Sequence, residues 1–469
     1  MKTMNIRQNH PEFTRRLNRL LAVVTLVVFC AELVTGCSPA GFNEPAKGTQ
    51  SAREISSPTW NAAGTTAIST TEAAAAPSET PLPAEMLAST RQPTFEPTLT
   101  PASAPQPERV GPDNFPPGTN PLTGLPVKQP EYLRIPPVLV SISNYPKAGR
   151  PQAGLSFSPL VFEIYIGVGV SRFLTVFYGE YPDISEDAEV GPIRSGRIPY
   201  ESLRQLYRGS LVFASASSWV YPYLDEYTVV YGKDNTNLIS ARMPVTELKE
   251  IAVESKARLG EPGLTGLLFD PVPPPDGRPA NSIWTAYHYT DQIFWRYDPA
   301  AQGYLRWQEG EAVSEFERYT DSLTGEPIVF ENVVYLFADH YFCTDVFFDI
   351  NLQYITRLPA LAFRDGKMYE IYWTTGNQDY EKKTGRLRPV RFTDSEGEPF
   401  PLKNGQTWVV IIPRNTPYHE TVDSQNYFDL RTKVEEGSGI WAIQFYPPEI
   451  LDLPPEEDLC HFPWSSSDQ

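Results

Sequence analysis

Between Asn61 and Val110, alanine, threonine, serine and proline supply 32 of 50 residues. No such stretch buries enough apolar surface to offset the entropy of ordering it. The same composition runs from Ser38 to about Pro112, and it removes that length of chain from any hydrophobic core. The sequence therefore predicts a disordered tether over 37–112, with a coil span of roughly 50 Å, and a folded body from about Asn114 to Trp464. A body of that size suits two domains better than one average core.

The segment before the tether supplies an address. Arg15, Arg16 and Arg19 precede the apolar run Leu20 to Phe29, and Leu33-Val34-Thr35-Gly36-Cys37 follows. Basic residues, a short apolar core and small residues before a cleavage point form a secretory signal peptide, here residues 1–36. The Val-Thr-Gly-Cys ending resembles the lipobox of bacterial lipoproteins. That resemblance implies that Cys37 is acylated and becomes the first residue of the mature chain, on the extracytoplasmic face of the cell membrane. An uncleaved N-terminal anchor would place the body on the same side.

The whole chain carries a net charge of -18, and residues 1–36 hold five Lys and Arg against two Glu, which leaves the mature chain at -21. Anionic headgroups repel such a body, so its contact with the membrane rests on the lipid anchor. Duplex nucleic acid is excluded as a partner, because that affinity rests on Lys and Arg neutralising phosphates. Once Cys30 leaves with the signal peptide and Cys37 is lipidated, Cys343 and Cys460 remain. Outside the cytoplasm they form either a disulfide or two free, buried thiols.

Within the body, Pro137 to Ser143, Leu160 to Val168, Arg172 to Tyr178 and Leu211 to Ala216 have the composition of strands. Ile198 to Tyr207 and Pro244 to Leu259 have helical spacing, the second closed by Gly260. Five prolines between Pro271 and Pro279 break regular structure and mark a boundary. Beyond them hairpins dominate, signalled by Asp365-Gly366 and Asn404-Gly405 between apolar runs. The prediction is an α+β fold: a mixed α/β domain over 113–275, then a β-rich domain over 276–469.

Asn120-Pro121-Leu122-Thr123-Gly124-Leu125-Pro126, Arg150-Pro151-Gln152-Ala153-Gly154 and Val190-Gly191-Pro192-Ile193-Arg194-Ser195-Gly196-Arg197 follow one another in the first half. Trp295-Arg296-Tyr297-Asp298 and Asn404-Gly405-Gln406-Thr407-Trp408 follow in the second. In this order they resemble the YerB-like bacterial lipoproteins, a family classed by domains of unknown function. The resemblance implies a lipid-anchored, two-domain envelope protein and no established reaction.

The candidate chemistry is sparse. The four His residues of the mature chain lie at least 40 residues apart, and no zinc spacing occurs. Asp339-His340 is the sharpest metal candidate, set against a loop histidine bonded to backbone. Nothing calls for a cofactor. Ser195, Ser215, Ser217 and Ser218 lack a local base. Glu163, inside an apolar strand, needs a partner, for which Arg172 on the next strand is the expected one. Trp219, Tyr221, Tyr223, Tyr227 and Tyr231 form either a platform for sugar rings or the rim of an aromatic core.

The loop Val190–Arg197 is the leading ligand-binding candidate, through Arg194, Ser195 and Arg197. Gly191-Pro192 forces a turn, Gly196 allows unusual backbone angles, and a helix is expected to begin at Ile198 with free N–H groups. The arginines either converge on an anion or are taken up by Glu186, Asp187 and Glu189. Two functions follow: a non-catalytic envelope protein that binds an anionic cell-wall component or an envelope partner, or an extracytoplasmic hydrolase or transferase acting on phosphate-bearing glycans. For the anchor, Cys37→Ala is expected to abolish incorporation of labelled palmitate; equal labelling of wild type and variant removes the lipoprotein reading.

Overall fold

Val, Ile, Phe and Tyr fill the predicted strands, and in the computed structural model these pair into two large sheets. The structure describes residues 108–450 apart from Asn235, Leu238, 311–315, Asp345 and 423–433. The signal peptide, Cys37, the tether up to residue 107 and Cys460 lie outside the described residues.

The first half contributes β1 (Val138–Ser143), β2 (Leu160–Tyr165), β3 (Ser171–Phe177), α1 (Ile198–Tyr207), β4 (Ser210–Phe213), β5 (Tyr227–Val229) and α2 (Val245–Leu259). The second contributes β6 (Ser282–His288), β7 (Asp291–Asp298), β8 (Gly303–Glu309), β9 (Asn332–Ala338), β10 (Leu358–Arg364), β11 (Lys367–Thr374), α3 (Gln378–Thr384), β12 (Thr407–Pro413) and β13 (Ile440–Gln444). Strands dominate both halves, so the fold is β-rich with some helices.

Among the described residues, an eleven-stranded sheet contains the order β11-β10-β9-β12-β2-β3-β1-β4-β5, with short strands at the β11 edge. The halves meet inside it, where β12 runs parallel to both β9 and β2. The stretches before and after the proline-rich segment thus share one sheet. A seven-stranded sheet contains β8-β7-β6-β13. The two sheets face each other: the Tyr335 hydroxyl of β9 lies 2.6 Å from the Thr285 hydroxyl of β6. On the opposite face of the large sheet, α1 packs Tyr207 edge-on against Phe162 of β2.

Two strands end earlier than the apolar runs suggest, because other groups take their backbone bonds. β2 stops at Tyr165, where Ile166 N–H bonds the Val170 carbonyl and closes a hairpin. β4 stops at Phe213, since Ala214 N–H donates to the Arg194 carbonyl. The folded body also reaches back into the Ala/Thr/Ser/Pro stretch. Val110 pairs with Phe269, and Arg109 bridges Asp270 at 2.8 Å.

The partner of Glu163 differs from the expected one. In the β2–β3 hairpin Glu163 opposes Phe173, and Arg172 opposes Ile164, so Glu163 and Arg172 point to opposite faces. Glu163 faces the second sheet and meets Arg306 of β8 at 3.3 Å, with both side chains buried. It also accepts from Trp408 Nε1 of β12 at 2.8 Å and Ser171 Oγ at 3.0 Å. The Arg306 guanidinium lies 4.6–5.6 Å from the ring centres of Phe173, Trp295, Tyr319 and Trp408.

Cys343 is buried and disulfide-bonded. Its neighbour Phe342 pairs with Ile450, which brings the start of the C-terminal tail beside it.

Removing one member of a buried ion pair strands the other charge, at about 3–5 kcal/mol. Glu163→Ala and Arg306→Ala are each expected to lower unfolding free energy by about that much in denaturant titrations. The double variant Glu163→Leu/Arg306→Met should recover most of the loss, since apolar side chains leave no stranded charge.

Candidate functional site: an arginine cluster between parting strands

Parallel strands β1 and β4 pair only from Val138 to Val140 on β1 and from Ser210 to Val212 on β4. Beyond that point they part, and the Gly191–Arg197 loop fills the gap. Pro192 carbonyl accepts from Ser143 N–H, and Arg194 N–H donates to the Ser141 carbonyl of β1. On the other side Gly196 N–H donates to the Ser215 carbonyl just past β4. The loop therefore sits at the carboxyl ends of parallel strands, where α/β sheets place ligand crevices.

Two glycines make this insertion possible for different reasons. Gly191 has φ +141°, and a Cβ there would lie 3.2 Å from the Ala241 carbonyl oxygen. Gly196, expected to supply unusual angles, instead supplies room. A Cβ would come within 2.9 Å of Leu224 and 3.2 Å of Phe213.

Arg197 is the N-cap residue of α1, in extended conformation. Its Nη1 donates to the Gly196 carbonyl at 3.1 Å. From the adjacent strand β3, Arg172 sends Nη1 to the Ser195 carbonyl at 2.9 Å. The Ser195 hydroxyl lies 3.2 Å from that of Ser215. Arg194, Ser195 and Arg197 are thus brought together, and Arg172 joins them as the residue that sequence reasoning assigned elsewhere. Its signal was present: a hairpin closed by Ile166 and Val170 sets residue 172 opposite 164, not 163.

The electrostatics are those of crowded cations. Burial, then the charges of Arg197 and Arg194, pull Arg172 down to about 9, while Tyr200 opposes the shift. Burial lowers Arg197 too, with Arg194 adding to it and Tyr200 opposing. Burial alone lowers Arg194. Among the described residues neither Arg172 nor Arg197 forms an ion pair, and the Nε of each is buried without a hydrogen-bond partner. Glu189 instead faces Lys233 at 3.4 Å, and Glu186 and Asp187 are exposed. Such a cluster can hold an anion through charge-assisted hydrogen bonds.

The other candidates fall elsewhere. His340 is half-buried with Nδ1 3.0 Å from the Ala338 carbonyl, and desolvation lowers it to about 4. Asp339 faces Arg414 at 3.3 Å. No group of metal-binding side chains assembles among the described residues. A cavity of about 300 Å³ lies at the opposite end of β4, lined by Ser210, Asp225, Glu226, Tyr227, Glu254 and Arg258. Its carboxylates make it unsuited to an anion.

The profile described as "Protein of unknown function (DUF3048) N-terminal domain" matches residues 122–248, and its C-terminal counterpart matches 284–409. The chain belongs to this family. It is 28% identical over 313 residues to "Putative lipoprotein YerB" of Bacillus subtilis (strain 168), across 62% of this chain and 86% of that one. The crystal structure of the B. subtilis YerB protein is similar in fold, with TM-score 0.50 and 25% identity over 63% of this chain and 96% of that one. Both family segments contribute strands to the large sheet, and the arginine cluster lies in the N-terminal one.

A second group of charges is sealed inside. Asp291 accepts from Ser171 N–H at 2.6 Å, and Glu309 accepts from Gln292 N–H at 2.8 Å and Arg150 at 3.0 Å. Both carboxylates are 2% exposed, too enclosed to meet a substrate. Burial, with the charges of Glu309 and Glu163, pushes Asp291 up from 3.8 to about 8. The folded state thus binds this proton more tightly than the unfolded chain. Its stabilisation is full below the unfolded value, falls as pH rises, and is gone above the folded value. Wild type should lose stability relative to Asp291→Asn between those two limits, by at most about 1.4 kcal/mol per pH unit, as read from denaturation midpoints at several pH values.

Proposed function

We propose that this chain is a lipid-anchored extracytoplasmic protein that binds an anionic group of an envelope component through Arg172, Arg194 and Arg197, without catalysis. The observation that carries the reading is the clustering of three cations at the carboxyl ends of β1 and β4, with Arg172 and Arg197 forming no ion pair among the described residues. Beyond the effect of burial, Arg197 and Arg194 lower the affinity of Arg172 for a proton and Arg194 lowers that of Arg197, and a bound anion would relieve that repulsion. The location is supported by the Val-Thr-Gly-Cys37 sequence and by a relative named as a lipoprotein. The tether then carries the body away from the bilayer. Pairing of Cys343 with Cys460 belongs to the same reading and would fasten the C-terminal tail to the body.

A hydrolase or transferase on phosphate-bearing glycans would use the same arginines around a transition state. Binding is favoured because the Ser195 hydroxyl meets another serine, which is no base.

Replacing Arg194 and Arg197 together by Gln should weaken binding of an anionic polymer such as poly(glycerol phosphate) more than tenfold, about 1.4 kcal/mol. The melting temperature should hold or rise, because repulsion is removed. Loss of stability with binding intact would assign the loop to structure, and product release abolished by Ser195→Ala would restore the enzyme.

A further inference from the structure

Next to Ser195 of the arginine loop the chain displays serine hydroxyls and large rings at its surface. Past β4, Ser215, Ser217 and Ser218 are exposed, and Ser215 touches Ser195 of the arginine loop. Trp219 N–H bonds the Ser217 hydroxyl, and Val220 and Tyr221 N–H groups bond the Ser217 carbonyl. This tight turn is pinned by Val220, which is buried, and by Leu224, which packs against Gly196. Trp219 is thereby held outward at 42% exposure, and no described ring stacks on it. Tyr231 is 82% exposed and follows Val230, whose N–H bonds the Phe213 carbonyl at the end of β4. On the same strand ends Phe213, Tyr221 and Tyr227 pack with centres 5.1–6.0 Å apart.

Resting on the anion-binding reading, we infer that the ligand is a sugar phosphate: Arg172, Arg194 and Arg197 hold the phosphate, and the Trp219 and Tyr231 faces stack the adjoining sugar ring. An apolar ring face with hydroxyls at its edge matches a sugar, whose C–H faces are apolar and whose rim is all hydroxyl. A nucleobase would use the rings and leave the serines idle. Inorganic phosphate would use the arginines and leave the rings idle.

The test is calorimetric titration of the full chain in detergent with inorganic phosphate, glucose phosphate, uridine monophosphate and neutral maltose. Glucose phosphate is expected to bind at least tenfold more tightly than inorganic phosphate, and maltose weakly. Trp219→Ala, at an exposed position, should remove that advantage while leaving inorganic phosphate binding and the melting temperature unchanged. Equal affinity for glucose phosphate and inorganic phosphate overturns the sugar assignment and leaves the anion site standing. So does an advantage that survives in both Trp219→Ala and Tyr231→Ala. Uridine monophosphate binding as tightly as glucose phosphate transfers the site to nucleotides and overturns the inference. No binding of any phosphate sinks the anion site itself, and this inference with it.

Discussion

The buried contact between Glu163 and Arg306 fixes how the two sheets face each other. Glu163 comes from the centre of the large sheet, Arg306 from the smaller one, and the rings of Phe173, Trp295, Tyr319 and Trp408 close around the guanidinium. Taking both charges out of water costs several kcal/mol per ion. Their attraction, the Trp408 and Ser171 hydrogen bonds and the aromatic cage offset that cost only in one relative position. A purely apolar interface would tolerate sliding. This one penalises it, and Asn144, Gln308 and Asp291 extend the same constraint through side-chain hydrogen bonds.

The arginine cluster depends on that arrangement through the pleat. Because Phe173 points into the cage, Arg172 must point the other way, toward Tyr200 and the start of α1. There it meets a loop held between β1 and β4 by backbone bonds on both sides. The cluster is thus built on a strand, a helix start and a loop pinned on both sides, which position donors more tightly than a free loop would. It is also a local positive spot on a body of strongly negative net charge. A phosphate or carboxylate, free or carried on a polymer, meets attraction at the arginines and repulsion over the rest of the surface, so binding is confined to the cluster.

Local signals located the elements well. The helix expected over Ile198 to Tyr207 stands at those bounds, and the one expected over Pro244 to Leu259 begins one residue later, since periodicity and flanking turns are local properties. Arg194, Ser195 and Arg197 were legible as a group because they are contiguous in sequence. The third arginine, Arg172, is near Glu163 in sequence but lies on the opposite face, because the hairpin register, not sequence distance, decides the face. The need for glycine at 196 is one of room, since a Cβ there would meet Phe213 and Leu224, residues whose approach no local pattern reveals.

By itself the sequence determined composition, charge, the strand and helix segments, the lipobox-like Cys37 and the motifs that mark the family. Each is written in adjacent residues. The tertiary structure decided that strands from both halves share one sheet, that Glu163 answers to Arg306, 143 residues away, and that Arg172 stands beside Arg197. These are choices of partner and face. Many registers satisfy one strand's apolar pattern, and only the simultaneous burial of both sheets and their charges selects among them.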